Sequence, residues 1–300
     1  MGETETVRDR LVHIADLHFW SVVWNPLALA GKRFLGNLNV LLRRGRHFSM
    51  ERAEPFADYV ASLGIPAALL TGDFTSTATE TEFRIARAFV DGLVRRGLEI
   101  ALMPGNHDVY TFGSARKSRF ECHFKPYLPA NGYPALHVLP GGTSLVLVPT
   151  ICPNLLSSAG RVSANEVAAT EALLREASDP VIIGAHYPVI HATDAYTSGR
   201  NRRLRNAEDL RRVVGQCGKR VLYVAGHVHR FSYTRDPRFP NVSYLATGAF
   251  FYHHPKKNCW GEFTEIDVMP DGFRVHRHLY RDEQWERNIA HETQHPVTNS

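Results

Sequence analysis

Seven short apolar runs recur along this 300-residue chain: RLVHIA, PAALLT, EIALMP, SLVLVP, PVIIGA, RVLYVAG and VSYLAT. Near-continuous runs of this length, rich in Val, Ile and Leu and cut off by Gly or polar residues, are the pattern of strands buried on both faces. Helical signals lie between them. Thr79-Glu80-Thr81-Glu82 is a capping box, opening a stretch with Phe83, Ile85, Ala86, Phe89, Val90 and Leu93 expected on one face. Ser163-Ala164-Asn165-Glu166 opens a second, with Val167, Leu173 and Leu174. Strands alternating with helices predict an α/β domain. Near the end, Glu262 to Tyr280 alternates around Pro270-Asp271-Gly272 and predicts an antiparallel hairpin, and the polar residues 281–300 are expected to fray. Neither an internal repeat nor a linker divides the chain, so residues 1–280 are expected to form one domain.

Five of the runs deliver Asp, Asn or His at their C-terminal ends, where open α/β sheets place active sites. They are Asp16-Leu17-His18, Gly72-Asp73, Gly105-Asn106-His107-Asp108, His186 and Gly226-His227-Val228-His229. A single His after a strand is usually structural, but five such ends in order point to a shared site. Two divalent metals about 3.5–4 Å apart need carboxylate and imidazole donors with one carboxylate shared between them, and such a pair can hold a bridging hydroxide and clamp phosphate oxygens for in-line attack. Oxygen and nitrogen donors without thiolate favour Mn, Fe or Zn. The cysteines Cys122, Cys152, Cys217 and Cys259 form no C-x-x-C pair. That spacing predicts a reduced, cytoplasmic protein, and the polar N-terminus carries no apolar signal core.

D-x-H, G-D, G-N-H-D, an isolated His and G-H-x-H, in this order over residues 16–229, resemble the five-block signature of calcineurin-like metallophosphoesterases. The resemblance implies a four-layer α/β/β/α sandwich of two mixed sheets flanked by helices. It also implies that Asp16, His18, Asp73 and His229 hold one metal, and that Asp73 bridges to a second held by Asn106, His186 and His227. His107 would be a general acid or stabilise charge developing on phosphorus, with Asp108 orienting its ring. Every ligand position matches, which argues against relatives that have lost ligands and serve as scaffolds. Gly160-Arg161-Val162-Ser163 resembles a segment of bacterial cyclic-nucleotide phosphodiesterases of this superfamily.

The formal net charge of +5 is local. Residues 17–50 contain no carboxylate but include Lys32, Arg33, Arg43, Arg44 and Arg46. A patch, rather than a stripe across the fold, argues against nucleic acid as the partner. The same segment carries Trp20, Trp24, Leu27, Leu29, Phe34, Leu35, Leu38, Leu41 and Leu42. Trp and Leu beside cations suit an element lying on an anionic membrane surface, or a helical hairpin packed on its own domain. At about 1 kcal/mol per basic residue the charges alone would hold it only weakly, so apolar insertion would have to add to them. Residues 19–48 leave directly from Asp16 and His18, as a lid for a greasy substrate would. UDP-diacylglucosamine pyrophosphohydrolases of the same superfamily combine such elements with the five blocks. A phosphodiester or pyrophosphate in a lipid-linked or membrane-proximal substrate is therefore the expected target, with a soluble cyclic-nucleotide phosphodiesterase as the alternative.

Further cations, Arg116, Lys117 and Arg119 after the G-N-H-D block and Arg200, Arg202, Arg203 and Arg205 after His186, are candidates for holding the rest of the substrate. His253 and His254 follow a predicted strand end and are candidates for reaching the site. His291-Glu292-Thr293-Gln294-His295 fits a zinc-protease pattern, but Pro296 and the lack of an apolar helical face argue that the match is accidental. The Met1-Gly2 myristoylation match and the Asn241 sequon are discounted as well.

Overall fold

A computed structural model of the protein describes residues 6–21, 47–109, 118–152, 158–191, 193, 196, 202–254 and 261–294. The seven apolar runs form strands β1 (Asp9–Ile14), β2 (Ala67–Leu70), β3 (Glu99–Leu102), β5 (Ser144–Leu147), β7 (Val181–Gly184), β9 (Val221–Ala225) and β11 (Val242–Ala246). Seven further strands complete the set: β4 (Ala135–Val138), β6 (Gly160–Arg161), β8 (Leu204–Arg205), β10 (Ser232–Arg235), β12 (Gly261–Met269), β13 (Gly272–Arg281) and β14 (Gln284–Gln294). The described helices are α1 (Ala53–Ser62), α2 (Glu80–Arg95), α3 (Arg119–Phe124), α4 (Ala164–Glu176) and α5 (Ala207–Gln216).

Two six-stranded sheets result, ordered β14-β13-β12-β1-β2-β3 and β10-β11-β9-β7-β5-β4. Both are mixed: β1, β2 and β3 run parallel while β12 is antiparallel to β1, and β5, β7, β9 and β11 run parallel while β4 and β10 are antiparallel to their neighbours. The period-2 alternation of the strands builds three apolar layers. Leu11, Leu69, Leu145, Ile182, Leu222 and Val224 fill the space between the sheets. Val12, Ile14 and Leu70 point outward to Phe56 and Val60 of α1 and Phe83, Phe89 and Leu93 of α2. Val181, Ile183, Val221 and Tyr223 point outward on the other side, to Leu174 of α4 and to Leu210 and Val214 of α5. This is the expected α/β/β/α sandwich.

Both capping boxes form. The Thr79 and Ser163 side chains accept from the backbone N–H of Glu82 and Glu166, and each Glu reaches back to its cap residue. Ile85, expected on the apolar face of α2, is instead 37% exposed. Its position, two residues past Phe83, turns it about 200° away around the helix. The hairpin around Pro270-Asp271-Gly272 is present as β12–β13. The expectation of a frayed end is corrected: Gln284–Gln294 is β14, an edge strand paired with β13 through a register shift between Val275 and His276. His291 thus lies in a strand, where H-E-x-x-H cannot present its histidines from one helical face.

Candidate metal centre

Backbone strain marks the site. Ten non-glycine residues among those described have φ in the left-handed region, and five of them are Asp16 (55°), His18 (49°), Asp73 (57°), His227 (70°) and His229 (56°). Asp and His tolerate this conformation better than most residues, but at a cost of order 1 kcal/mol each, which persists only where the surroundings fix it. It turns the chain sharply just after the strand and aims these side chains back over the sheet ends. The glycines of the motifs permit the close approach this requires. A Cβ on Gly72, itself at φ 93°, would lie 2.3 Å from Gly105 N, and one on Gly105 would lie 2.3 Å from Asp73 Oδ1. Neither site can hold a side chain.

Donors converge in two groups around Asp73. Its Oδ2 lies 3.5 Å from His18 Nε2, and its Oδ1 lies 3.5 Å from His186 Nε2. On the first side, His18 Nε2 and His229 Nε2 are 3.0 Å apart and Asp16 Oδ1 lies 3.6 Å from His229 Nε2. Ligand atoms of Asp16, His18, Asp73 and His229 all lie within 4.8 Å of one another. On the second side, Asn106 Oδ1 lies 3.0 Å from both His186 Nε2 and His227 Nδ1. Asp16, His18, Asp73 and His186 are buried, whereas Asn106, His107, His227 and His229 are half-buried.

Backbone carbonyls select the tautomers. A carbonyl only accepts, so the ring nitrogen facing it carries the proton. His18 Nδ1–H donates to the Thr75 carbonyl at 3.3 Å and His186 Nδ1–H to the Thr71 carbonyl at 2.8 Å, which turns each Nε2 lone pair toward Asp73. His227 is reversed: Nε2–H donates to the Arg202 carbonyl at 2.9 Å, leaving Nδ1 beside Asn106. Burial lowers the His186 imidazole to about 4 and, joined by the charge of His186, holds His227 well below its ordinary value. Neutral rings with lone pairs aimed at a shared carboxylate are what divalent ions require. The oxygen and nitrogen donors therefore fit divalent metal ions, with Asp16, His18, Asp73 and His229 forming a compact candidate cluster.

One expected role is corrected. Asp108 does not orient the His107 ring. Its oxygens accept from the N–H groups of Phe74 (3.2 Å), Thr75 (2.9 Å) and Gly105 (2.8 Å) and from the Thr75 hydroxyl (2.9 Å), which clamps the β2 and β3 end loops together. Burial and the neighbouring Asp73 charge push its carboxyl up to about 7, against the Gly105 and Thr75 donors. The ring of His107 is fixed instead by the Ser76 carbonyl, 2.7 Å from Nδ1, and its backbone N–H donates to Asp73 Oδ1 at 2.7 Å.

Sequence reasoning missed Phe48 and Tyr252. Phe48 packs edge-on against His18 at 5.2 Å between centroids, and Tyr252, bridged to Phe48 in antiparallel fashion, lies 6.2 Å from His229. Of the remaining candidates, His254 stacks on His47 at 4.1 Å beyond this pair, and Arg119 is engaged by the Ala78 carbonyl at 2.7 Å. Arg116, Lys117, Arg200 and residues 22–46 of the basic segment lie outside the described residues. A second donor group, Glu265, Asp267 and His276, is closed by cations: Arg287 binds Glu265 at 2.7 Å and Arg10 binds Asp267 at 2.7 Å. It is an ion network rather than a metal centre.

A two-sheet sandwich with Asp, Asn and His gathered at strand ends defines a metal-dependent phosphoester hydrolase. The sequence profile of the calcineurin-like phosphoesterases matches residues 9–231, and the chain belongs to that family. Among solved structures, a dimetal phosphatase from Danio rerio is similar with a TM-score of 0.61 at 13% identity, over 91% of this chain and 96% of that one. Purple acid phosphatase PPD1 from yellow lupin (Lupinus luteus) seeds is similar with a TM-score of 0.61 at 12% identity, over 94% of this chain and 53% of that one. At these identities the likeness is one of fold. No curated protein matches the sequence.

Proposed function

We propose that this enzyme hydrolyses a phosphodiester or pyrophosphate bond at a dinuclear centre built from Asp16, His18, Asp73 and His229 on one side and Asp73, Asn106, His186 and His227 on the other. The observation that carries the reading is the placement of Asp73, with one oxygen 3.5 Å from each side's buried histidine. Bound there, two divalent ions would activate water, polarise the phosphoryl oxygens and neutralise charge developing on them. The chain's own contribution is position and a proton. With Nδ1–H held by the Ser76 carbonyl, His107 in its doubly protonated form would give the Nε2 proton to the leaving oxygen as the P–O bond breaks, while the attacking water bonds to phosphorus and releases its own proton to solvent. His107→Gln is expected to lower kcat on a chromogenic diester by about 10²–10⁴-fold while calorimetry still finds metal binding. An equal loss of metal binding would remove His107 from this role.

For the substrate, the reading is a lipid-linked or membrane-proximal phosphoester, with residues 19–48 meeting an anionic membrane surface. The Trp, Leu and basic composition of the segment supports it, as do its ends: Phe19 bridges to Thr75 and Phe48 packs on His18, so the segment departs from and returns to the site. No helix among the described residues is long and apolar enough to cross the membrane. Parallel turnover of a UDP-linked diacylated sugar and of cyclic AMP with Mn present decides the matter. Preference for the lipid, lost when Trp24 and Leu27 are made polar, is expected; preference for cyclic AMP would make this a nucleotide phosphodiesterase.

A further inference from the structure

Side-chain contacts order the site along a line. Phe48 and Tyr252 stand at the His18 and His229 end, then Asp73, then His186 and His227. Beyond His227 comes Arg202. Its carbonyl accepts the His227 Nε2–H at 2.9 Å and the Tyr196 hydroxyl at 2.6 Å, so its main chain is held from two directions at the rim. The following residues are fixed too: Gly160 N–H donates to the Arg203 carbonyl at 3.2 Å, and β8 pairs with β6.

The Arg202 side chain is exposed and makes no ion pair among the described residues. Its neighbour Arg203 is differently placed, its guanidinium lying 5.9 Å from the centre of the Tyr196 ring. Burial raises the Tyr196 hydroxyl, and the charges of Arg203 and Arg202 oppose that rise, so both act on this end of the site. A fixed backbone beside His227 carries a planar cation, and a guanidinium matches a phosphate or carboxylate through two parallel hydrogen bonds.

We propose that Arg202 is a specificity-determining residue that holds a second anionic group of the substrate, a phosphate or carboxylate attached next to the scissile phosphoryl, on the His227 side of the site. This rests on the hydrolase reading above. It makes substrates with adjacent anions better than isolated diesters, and it fixes their orientation, with the uncharged part directed toward Phe48 and Tyr252.

The test uses the full chain loaded with Mn. Calorimetric binding of inorganic pyrophosphate and of inorganic phosphate is compared in the wild type, Arg202→Ala and Arg202→Lys. Pyrophosphate binding is expected to weaken about tenfold in Arg202→Ala, several times more than phosphate binding, with Arg202→Lys in between because one of the two parallel bonds is lost. In turnover, kcat/KM for ADP-ribose should fall about tenfold further than kcat/KM for bis(p-nitrophenyl) phosphate, mainly through KM. Equal losses for both probes, or none, would overturn the proposal. Wild-type protein that turns over neither compound, while pyrophosphate binding still depends on Arg202, would sink the hydrolase reading and with it the specificity role, leaving Arg202 as an anion-binding residue only.

Discussion

Asp73→Asn is expected to lower kcat/KM by at least about a thousandfold, equivalent to about 4 kcal/mol of transition-state stabilisation. The two carboxylate oxygens face different histidines, His18 and His186, each at 3.5 Å. An amide offers one acceptor and one N–H₂ group, so one side of the centre would meet protons where it needs a lone pair. The backbone should survive, because Asn tolerates the left-handed φ of 57° at this position and can still accept the His107 N–H. Metal-free protein separates the roles further. Asp73 and Asp108 are buried carboxylates, and burial and then the charge of Asp73 make the Asp108 carboxyl harder to ionise. Removing one charge should therefore leave the metal-free variant melting at or above the wild type. Added Mn should stabilise the wild type by about 2.7 kcal/mol per bound ion at a hundredfold excess over Kd, and the variant much less. A variant that kept both full activity and the Mn-dependent rise in Tm would show that Asp73 is not shared.

Glu82→Ala is expected to cost roughly 3 kcal/mol of stability, lowering Tm by about 6–12 °C, and to reduce turnover at least tenfold where the protein is still folded. The residue is fully buried and receives the N–H groups of Thr77 (2.9 Å), Thr79 (3.1 Å) and Ser21 (3.1 Å) and the Thr77 hydroxyl (3.0 Å). Burial raises its carboxyl, and the Thr79, Thr77 and Ser21 donors oppose that. Truncation would strand those donors in the interior. Chemistry suffers through the same loop. The Thr75 and Ser76 carbonyls that orient His18 and His107 lie just before Thr77, and the Ser76 hydroxyl donates to the His18 carbonyl at 3.0 Å. Thr79→Ala is the control. It removes the cap alone, which is worth about 1 kcal/mol. If both variants lost the same stability, Glu82 would be only the second half of a capping box.

The legible parts of the sequence are those in which a residue type is itself the physical requirement. Buried parallel strands must be apolar on both faces, so β2, β3, β7 and β9 stand out as runs, and the polar donors placed immediately after them stand out against that background. Thr79 and Ser163 announce their helices because a hydroxyl three residues before Glu is a capping box. The illegible parts depend on backbone groups or on distant pairing. Carbonyls of Thr71, Thr75, Ser76 and Arg202 set four histidine rings, and any residue supplies a carbonyl. The role of Asp108 escapes sequence reading for the same reason: three of its four partners are main-chain N–H groups on loops that only the fold brings together. The β14 segment QWERNIAHETQ is polar because an edge strand gains from pairing on one side only, and Ile289 is 65% exposed within it, so its composition resembles a loose tail. Phe48 and Tyr252 come from segments about two hundred residues apart, and nothing local marks either as a neighbour of His18 or His229.

Anomalous diffraction from crystals grown with Mn decides whether Asp73 joins two ions, since it counts ions and names their ligands without reference to substrate. Two peaks are expected, one among Asp16, His18 and His229 and the other among Asn106, His186 and His227 through Nδ1, with Asp73 touching both. A single peak, or two peaks that Asp73 does not join, would contradict the shared role of Asp73.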